Sequence, residues 1–372
     1  MKHLACSLVM LLCATITFAA DDPADALAKT ILRHAGIRVG VCELPRVGDG
    51  TLAAALARTG IAQVHGLAPD ASAAEAARKP AAAGGALGSQ VVIETGNPSA
   101  IPLAEWVADL LVIADATDAN LKDVPPSEVR RVVSPYRGTA VVGNPRSGVS
   151  GLTPMFLMSW AKETSGIVEI KDDAGGLWAI IKVPPLKGGD DWTHVNHGSD
   201  GNPVSDDTAI RRGTFSLQCY DKPRAVDKWG TVVAAAGRVF YLPGSFDHIE
   251  PYSNELVVRN MYNGQILWRR SLEFPFGRND SLIIATAERV YLKYKNNVLV
   301  FNPETGEEMT RIVATDERSG VRWLLLNSGI LVTLIGDPQH AIHEVYGGPP
   351  GMSARDRQNS HANDEIRNFV GR

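Results

Sequence analysis

The chain has 372 residues, 45% of them hydrophobic and 21% charged, and a formal net charge of −4. That balance leaves no basic footprint for a nucleic acid partner, and beyond its first residues no apolar stretch approaches the about 20 residues a membrane-spanning helix needs. Length predicts about two domains of roughly 150 residues each.

Met1-Lys2-His3 is followed by an apolar run over 4–16 and then by Thr17-Phe18-Ala19-Ala20, ahead of Asp21. A charged start, a short apolar stretch and a small-residue end make residues 1–20 a secretory signal peptide, so the protein is expected to be soluble and secreted or periplasmic. Cys6 and Cys13 would leave with it, and Cys42 and Cys219 fall in different domains, so the cysteines form no metal framework.

Residues 21–150 alternate helix and strand. Asp22 caps a helix over 23–34 that Gly36 ends, and a strand follows over 37–42. Asp49 caps a helix over 50–58, closed by Gly60 ahead of the apolar run 61–67, and Asp70 opens a helix over 71–78. Residues 91–93 form a strand, and the continuous apolar run 110–114 suits a strand buried on both faces. A helix over 126–133 and a strand over 139–142 complete the series. The pattern predicts a doubly wound α/β domain with a mostly parallel sheet, whose ligands bind past the carboxyl ends of the strands.

The turn after the first strand reads Val41-Cys42-Glu43-Leu44-Pro45-Arg46-Val47-Gly48-Asp49-Gly50. With Glu43 at the strand end and Gly48 and Gly50 in the turn, it resembles the class I S-adenosylmethionine-dependent methyltransferases. Residues 128–138 look like that family's helix-turn-strand segment late in the domain. The resemblance, over residues 25–145, implies a Rossmann-like methyltransferase fold with S-adenosylmethionine held by Glu43, Gly48, Asp49, Gly50 and Asp70. Two departures bear on activity. Pro45 and Arg46 stand where backbone N–H groups should approach the cofactor, and proline has none to offer. Ala68 and Pro69 stand where a carboxylate should hold the ribose; Asp70 can substitute, but also suits a helix cap. They lead to the expectation of a degenerate domain kept for structure.

Residues 151–191 read as a connecting helix and strands, and from Trp178 onward the pattern turns to alternation and turns. Strands over 256–261 and 266–269 flank Tyr262-Asn263-Gly264-Gln265, an Asn-Gly turn expected to hold both central residues at positive φ. Strands over 297–301 and 307–313 flank Asn302-Pro303-Glu304-Thr305-Gly306. Gly264 and Gly306 are 42 positions apart, and strand starts at Gly237, Glu288 and Ser328 recur at offsets of 51 and 40, the spacing of four-stranded propeller blades. With Leu267-Trp268 after the turn, these units resemble pyrroloquinoline-quinone (PQQ)-type β-propeller repeats. Asp190-Asp191-Trp192-Thr193-His194 and residues 202–208 look like the segment that introduces such repeats behind a methyltransferase-like domain. The resemblance implies an all-β incomplete propeller of about three to four blades over 192–336, because closed rings need about four to eight. A partner protein or a second copy would complete its edge, and residues 337–372 read as a flexible polar tail.

His194 and His197, with Asp190, Asp191, Asp200, Asp206 and Asp207, are the densest collection of potential ligands. Zinc needs a third ligand at fixed spacing, and such segments form Asx turns, so neither a metal site nor a catalytic residue is expected. Trp192, Trp268 and Trp323 are available to stack a quinone, although tryptophan also packs between sheets. The expected function is therefore an exported, non-catalytic binding or scaffold protein. The alternatives are an S-adenosylmethionine-dependent methyltransferase, against which export argues because the cofactor is cytoplasmic, and a PQQ-dependent dehydrogenase, against which the blade number argues.

Overall fold

The computed structural model describes residues 22–145, 151–209, 231–242, 255–273, 283–294, 297–313 and 320–336. The expected signal peptide, Cys219 and the tail lie outside them. Helix α1 (Pro23–Ala35) begins where the Asp22 carboxylate accepts the Ala24 N–H, and ends where Gly36 turns left-handed. Strands β1 (Val41–Leu44), β2 (Gln63–Ala68), β3 (Val91–Thr95), β4 (Leu110–Ile113) and β5 (Thr139–Asn144) are parallel, in the order β3-β2-β1-β4-β5. The strand order reverses between β1 and β4, the switch point of a doubly wound, Rossmann-like sheet. β1 starts at Val41 rather than Ile37, because residues 37–40 carry the chain close past Asp109, whose carboxylate accepts the Val41 N–H at 2.9 Å.

The sheet continues past residue 150. After α5 (Pro154–Glu163), strands β6 (Ile167–Asp173) and β7 (Gly176–Lys182) join it, with β7 antiparallel between β5 and β6. Trp178 is thus a fully buried residue of the α/β domain, not the start of the repeats. Alanines let α1, α2 (Thr51–Arg58) and α3 (Ala71–Ala83) lie close over one face: Ala28, Ala53, Ala74, Ala77 and Ala81 share a core with Cys42, Leu44 and Val64. On the other face α4 (Pro126–Val132) and α5 pack on Leu111, Ile113 and Val142. The crossover from β3 to β4, residues 96–109, forms no helix.

Two antiparallel meanders follow. β8 (Thr231–Ala235), β9 (Arg238–Leu242), β10 (Glu255–Asn260) and β11 (Ile266–Ser271) form the first. β12 (Ile283–Ala285), β13 (Val290–Tyr294), β14 (Asn297–Phe301) and β15 (Glu308–Val313) form the second, and β16 (Gly320–Asn327) with β17 (Ile330–Gly336) makes a hairpin. They stack in series. One face of the second meander, through Leu292, Leu299 and Phe301, packs on Phe240, Leu256 and Val258 of the first; its other face, through Tyr291, Val298 and Val300, packs on Val321 and Leu324 of the hairpin. A closed ring is not seen among the described residues.

The two meanders repeat in detail. Gly264 N–H donates to Asn260 O at 3.0 Å and Gly306 N–H to Asn302 O at 2.9 Å, and each turn is followed by a one-residue bulge against β10 or β14. In each turn only the glycine has positive φ, 72° at Gly264 and 70° at Gly306, so Asn263 does not share it as expected. These loops are longer than two residues and place only the last one left-handed; the two-residue turns with positive φ at both positions are Ala236-Gly237 and Ser328-Gly329. Trp268 links the repeats: its indole N–H donates to Pro303 O at 3.0 Å, and a Cβ at Gly306 would lie 2.6 Å from its ring. It packs between sheets.

The first meander docks on the amino ends of the parallel strands. Asp109, just before β4 and fully buried, accepts from Asn260 Nδ2 at 2.6 Å and Asn263 Nδ2 at 2.7 Å as well as from Val41. Arg137, just before β5, and Arg238, the latter at 2.5 Å, both donate to Glu304 of the second meander's turn. Burial disfavours charge on Glu304, but the two guanidinium groups outweigh it and hold its carboxyl below the ordinary value. Removing Asp109 would take the acceptor from Val41 N–H and Asn260 and one of two from Asn263, which also bonds Val107 O, so Asp109→Ala is expected to lower unfolding free energy by roughly 3 kcal/mol, and Asn263→Ala by about 1 kcal/mol, in fluorescence-monitored urea denaturation. A loss below about 1 kcal/mol for Asp109→Ala would show that the seam does not depend on it.

Candidate functional site

With the meanders at the amino ends, the carboxyl ends of β1, β2 and β4 are left to form a ligand site, the usual place in such a sheet. Strand alternation puts Cys42 and Leu44 under α1–α3 and turns Glu43 to the opposite face, together with its partner in register, His65 of β2. On that face Ile101 and Leu103 of the helix-free segment 96–109 share a core with Leu67 of β2. Glu43 is completely buried, and the imidazole Nδ1–H of His65 donates to its Oε2 at 2.6 Å. His65 Nε2 faces Glu94, at the end of β3, across 3.6 Å. The second carboxylate oxygen of Glu43, Oε1, is buried with no hydrogen-bond partner. An unanswered buried acceptor is uncommon and costly, and marks the place where a bound donor would be most stabilising.

Burial pushes the Glu43 carboxyl up, with His65 opposing. For His65 burial favours the neutral ring, but the bond and charge of Glu43 and the charge of Glu94 outweigh it, and its pKa rises above the ordinary 6.5. Both directions mean that the folded pair holds protons more tightly than the unfolded chain. The stability that His65 contributes is therefore fully present below pH 6.5 and is lost as pH rises through the raised folded value.

The turn after β1 is built differently from the expectation. Arg46 reaches across the switch point to Asp115, which follows β4, in a forked pair with contacts of 2.9 to 3.1 Å. Val47 N–H donates to Leu67 O at 3.0 Å, and the Val47 side chain is buried in the core with α2 and α3. Gly50, at φ 81°, is needed for packing: a Cβ there would lie 1.9 Å from Ala77 O of α3. Gly48 is the open position of the turn, with nothing within 4 Å of where its Cβ would stand. Asp49 accepts the N–H and hydroxyl of Thr51. Asp70 accepts the Ala73 N–H at 2.8 Å and serves as the cap of α3, while Ala68 ends β2. Of the five residues expected to hold a cofactor, Glu43 keeps an unpartnered buried oxygen and Gly48 is open, whereas Asp49 and Asp70 bond nearby groups of the chain and Gly50 packs on Ala77. His65 and Asp115, the partner of Arg46, escaped the sequence reading, since only strand register and the β1–β4 adjacency bring them to Glu43 and its turn.

In the histidine-rich junction both imidazoles bond within the protein, and His197 Nδ1 is buried without a hydrogen-bond partner. His194 Nε2 accepts the Leu326 N–H at 3.2 Å and its Nδ1 meets the Thr193 hydroxyl at 2.8 Å, whereas His197 Nε2–H donates to Asp190 at 2.7 Å. Asp190 also accepts from Ser205 and Asp206, so these residues tie the start of the meanders to β16.

No known protein family and no curated protein sequence matches the chain. Among solved structures it is similar to one described as an S-adenosylmethionine-dependent methyltransferase from Methanococcus maripaludis, at 18% identity and TM-score 0.37 over 44% of this chain and 86% of that one. It is also similar to geranyl diphosphate C-methyltransferase from Streptomyces coelicolor, at 15% identity and TM-score 0.34 over 42% and 76% of the two chains.

Raising the pH from 6.5 is expected to lower the urea midpoint of the protein, and His65→Gln to flatten that slope. An equal slope in the variant would show that the Glu43–His65 pair does not titrate as described.

Proposed function

We propose that the α/β domain binds S-adenosylmethionine or a related adenosyl ligand at the carboxyl ends of β1 and β2, and that the chain is of the methyltransferase class. The observation that carries this reading is the buried, unanswered Oε1 of Glu43 at the end of the first strand of a doubly wound sheet. A carboxylate in that place accepts from a cationic or hydroxyl donor, and the open Gly48 turn lets a ligand approach backbone. When bound, such a cofactor supplies an electrophilic methyl group. This chain's part is to hold it through Glu43, keep Glu43 oriented through His65, and exclude water beneath the segment 96–109. The lack of a carboxylate at Ala68 weakens the grip on the ribose.

The scaffold reading keeps one specific support: the Arg46–Asp115 pair spans the crevice that a ligand would enter. On that reading the stacked meanders are propeller blades that present a binding surface, which the repeated turn, bulge and Trp268 contact favour. Calorimetric titration with S-adenosylmethionine and S-adenosylhomocysteine separates the two. Saturable binding is expected, weakened about tenfold or more by Glu43→Ala and strengthened by Arg46→Ala. Absence of binding in both the natural protein and Arg46→Ala would leave the scaffold reading standing.

A further inference from the structure

A cavity of about 450 Å³ opens at the other end of the sheet, within the size range of small-molecule sites. Trp106 before β4, Pro135 before β5 and Val183 after the antiparallel β7 all line it, so it lies on the amino-end side, away from Glu43. Trp106, Pro184, Pro185 and Leu186 make its apolar wall, and Arg130 and Lys187 add charge; among the described residues neither cation is engaged by an ion pair or hydrogen bond.

Two observations make this more than a surface depression. First, two of the non-glycine residues with positive φ stand in its wall, Trp106 at 63° and Ser165 at 58°. A non-glycine residue in that conformation is strained and persists where surrounding structure imposes it, commonly at binding sites. Ser165 follows the end of α5, where glycine would close the helix without strain; serine instead brings a hydroxyl to the cavity. Trp106 is held by its N–H to Arg131 O at 2.8 Å and by an edge contact with Tyr262 of the first meander at 5.9 Å. Second, the neighbouring guanidinium of Arg131 is held by four of its five donors, which bond both Glu128 oxygens and the carbonyls of Ile101 and Leu103. It makes the wall rigid and leaves Arg130 and Lys187 to a ligand. Glu105 on the rim is attracted to Arg131, and cations outnumber it.

We propose that this cavity binds a small organic anion with a flat apolar body, of the aromatic carboxylate class. The carboxylate meets the forked donors of Arg130 and the ammonium of Lys187, with the Ser165 hydroxyl in reach of the same cavity, and the ring lies against Trp106 and the two prolines. The site is independent of the proposed cofactor site.

Calorimetry on the full chain with 2-naphthoate, neutral 2-naphthamide and inorganic phosphate tests it. Saturable one-site binding of 2-naphthoate is expected, with the amide and phosphate each about tenfold weaker or more. Charge reversal by Arg130→Glu with Lys187→Glu, both exposed residues, should abolish it without moving the thermal midpoint, and Trp106→Phe should weaken it. Glu43→Ala should leave it unchanged. No binding of 2-naphthoate, equal binding of the amide or of phosphate, or binding that survives charge reversal would each overturn the proposal.

Discussion

The buried carboxylate of Asp109 is the contact on which the arrangement of the two halves rests. It receives a backbone N–H from β1 and two side-chain amides from the turn of the first meander, one of which, Asn263, also donates to Val107 O. Burial pushes its carboxyl up, while Arg137 and the three donors pull the other way. Because it stands at the amino end of β4, the clamp puts the meanders at the end of the sheet opposite the one where a doubly wound fold usually binds its ligands.

The same turn that docks the first meander recurs in the second, and there Glu304 takes the docking role through Arg137 and Arg238. One local structure, a loop closed by a left-handed glycine and followed by a bulge, thus serves twice, once by amides and once by a carboxylate. Successive sheets are joined by Trp268 resting on the next turn glycine, which only a residue without Cβ permits. The stack reaches β17, where Ile330, Val332 and Leu334 are exposed.

At the carboxyl end the chemistry is divided. Glu43 keeps a buried oxygen without a partner, while the ion pair of Arg46 and Asp115 ties the turn after β1 to the segment after β4, and Ala68 supplies no side-chain acceptor at the end of β2. The imidazole and the carboxylate are tolerated on that buried face because they pair with one another.

Much of the architecture was legible in the residues. Asp22 and Asp70 mark helix starts because their carboxylates satisfy the first free N–H groups, Gly36 marks an end because it accepts left-handed φ, and the 42-residue spacing of Gly264 and Gly306 marks the repeat. These are local effects, decided within a few residues. Local pattern set residues 151–191 apart as a connector, since an antiparallel strand that completes an α/β sheet alternates like any other. It also gave Asn263 a conformation, when its side chain was needed 154 positions away at Asp109. The Glu43–His65 pair, the Arg46–Asp115 bridge and the cavity around Trp106 were decided by tertiary structure alone, because each depends on which strands lie side by side and at what register. Strand order is set by the burial of whole faces, and no short stretch of sequence carries that information.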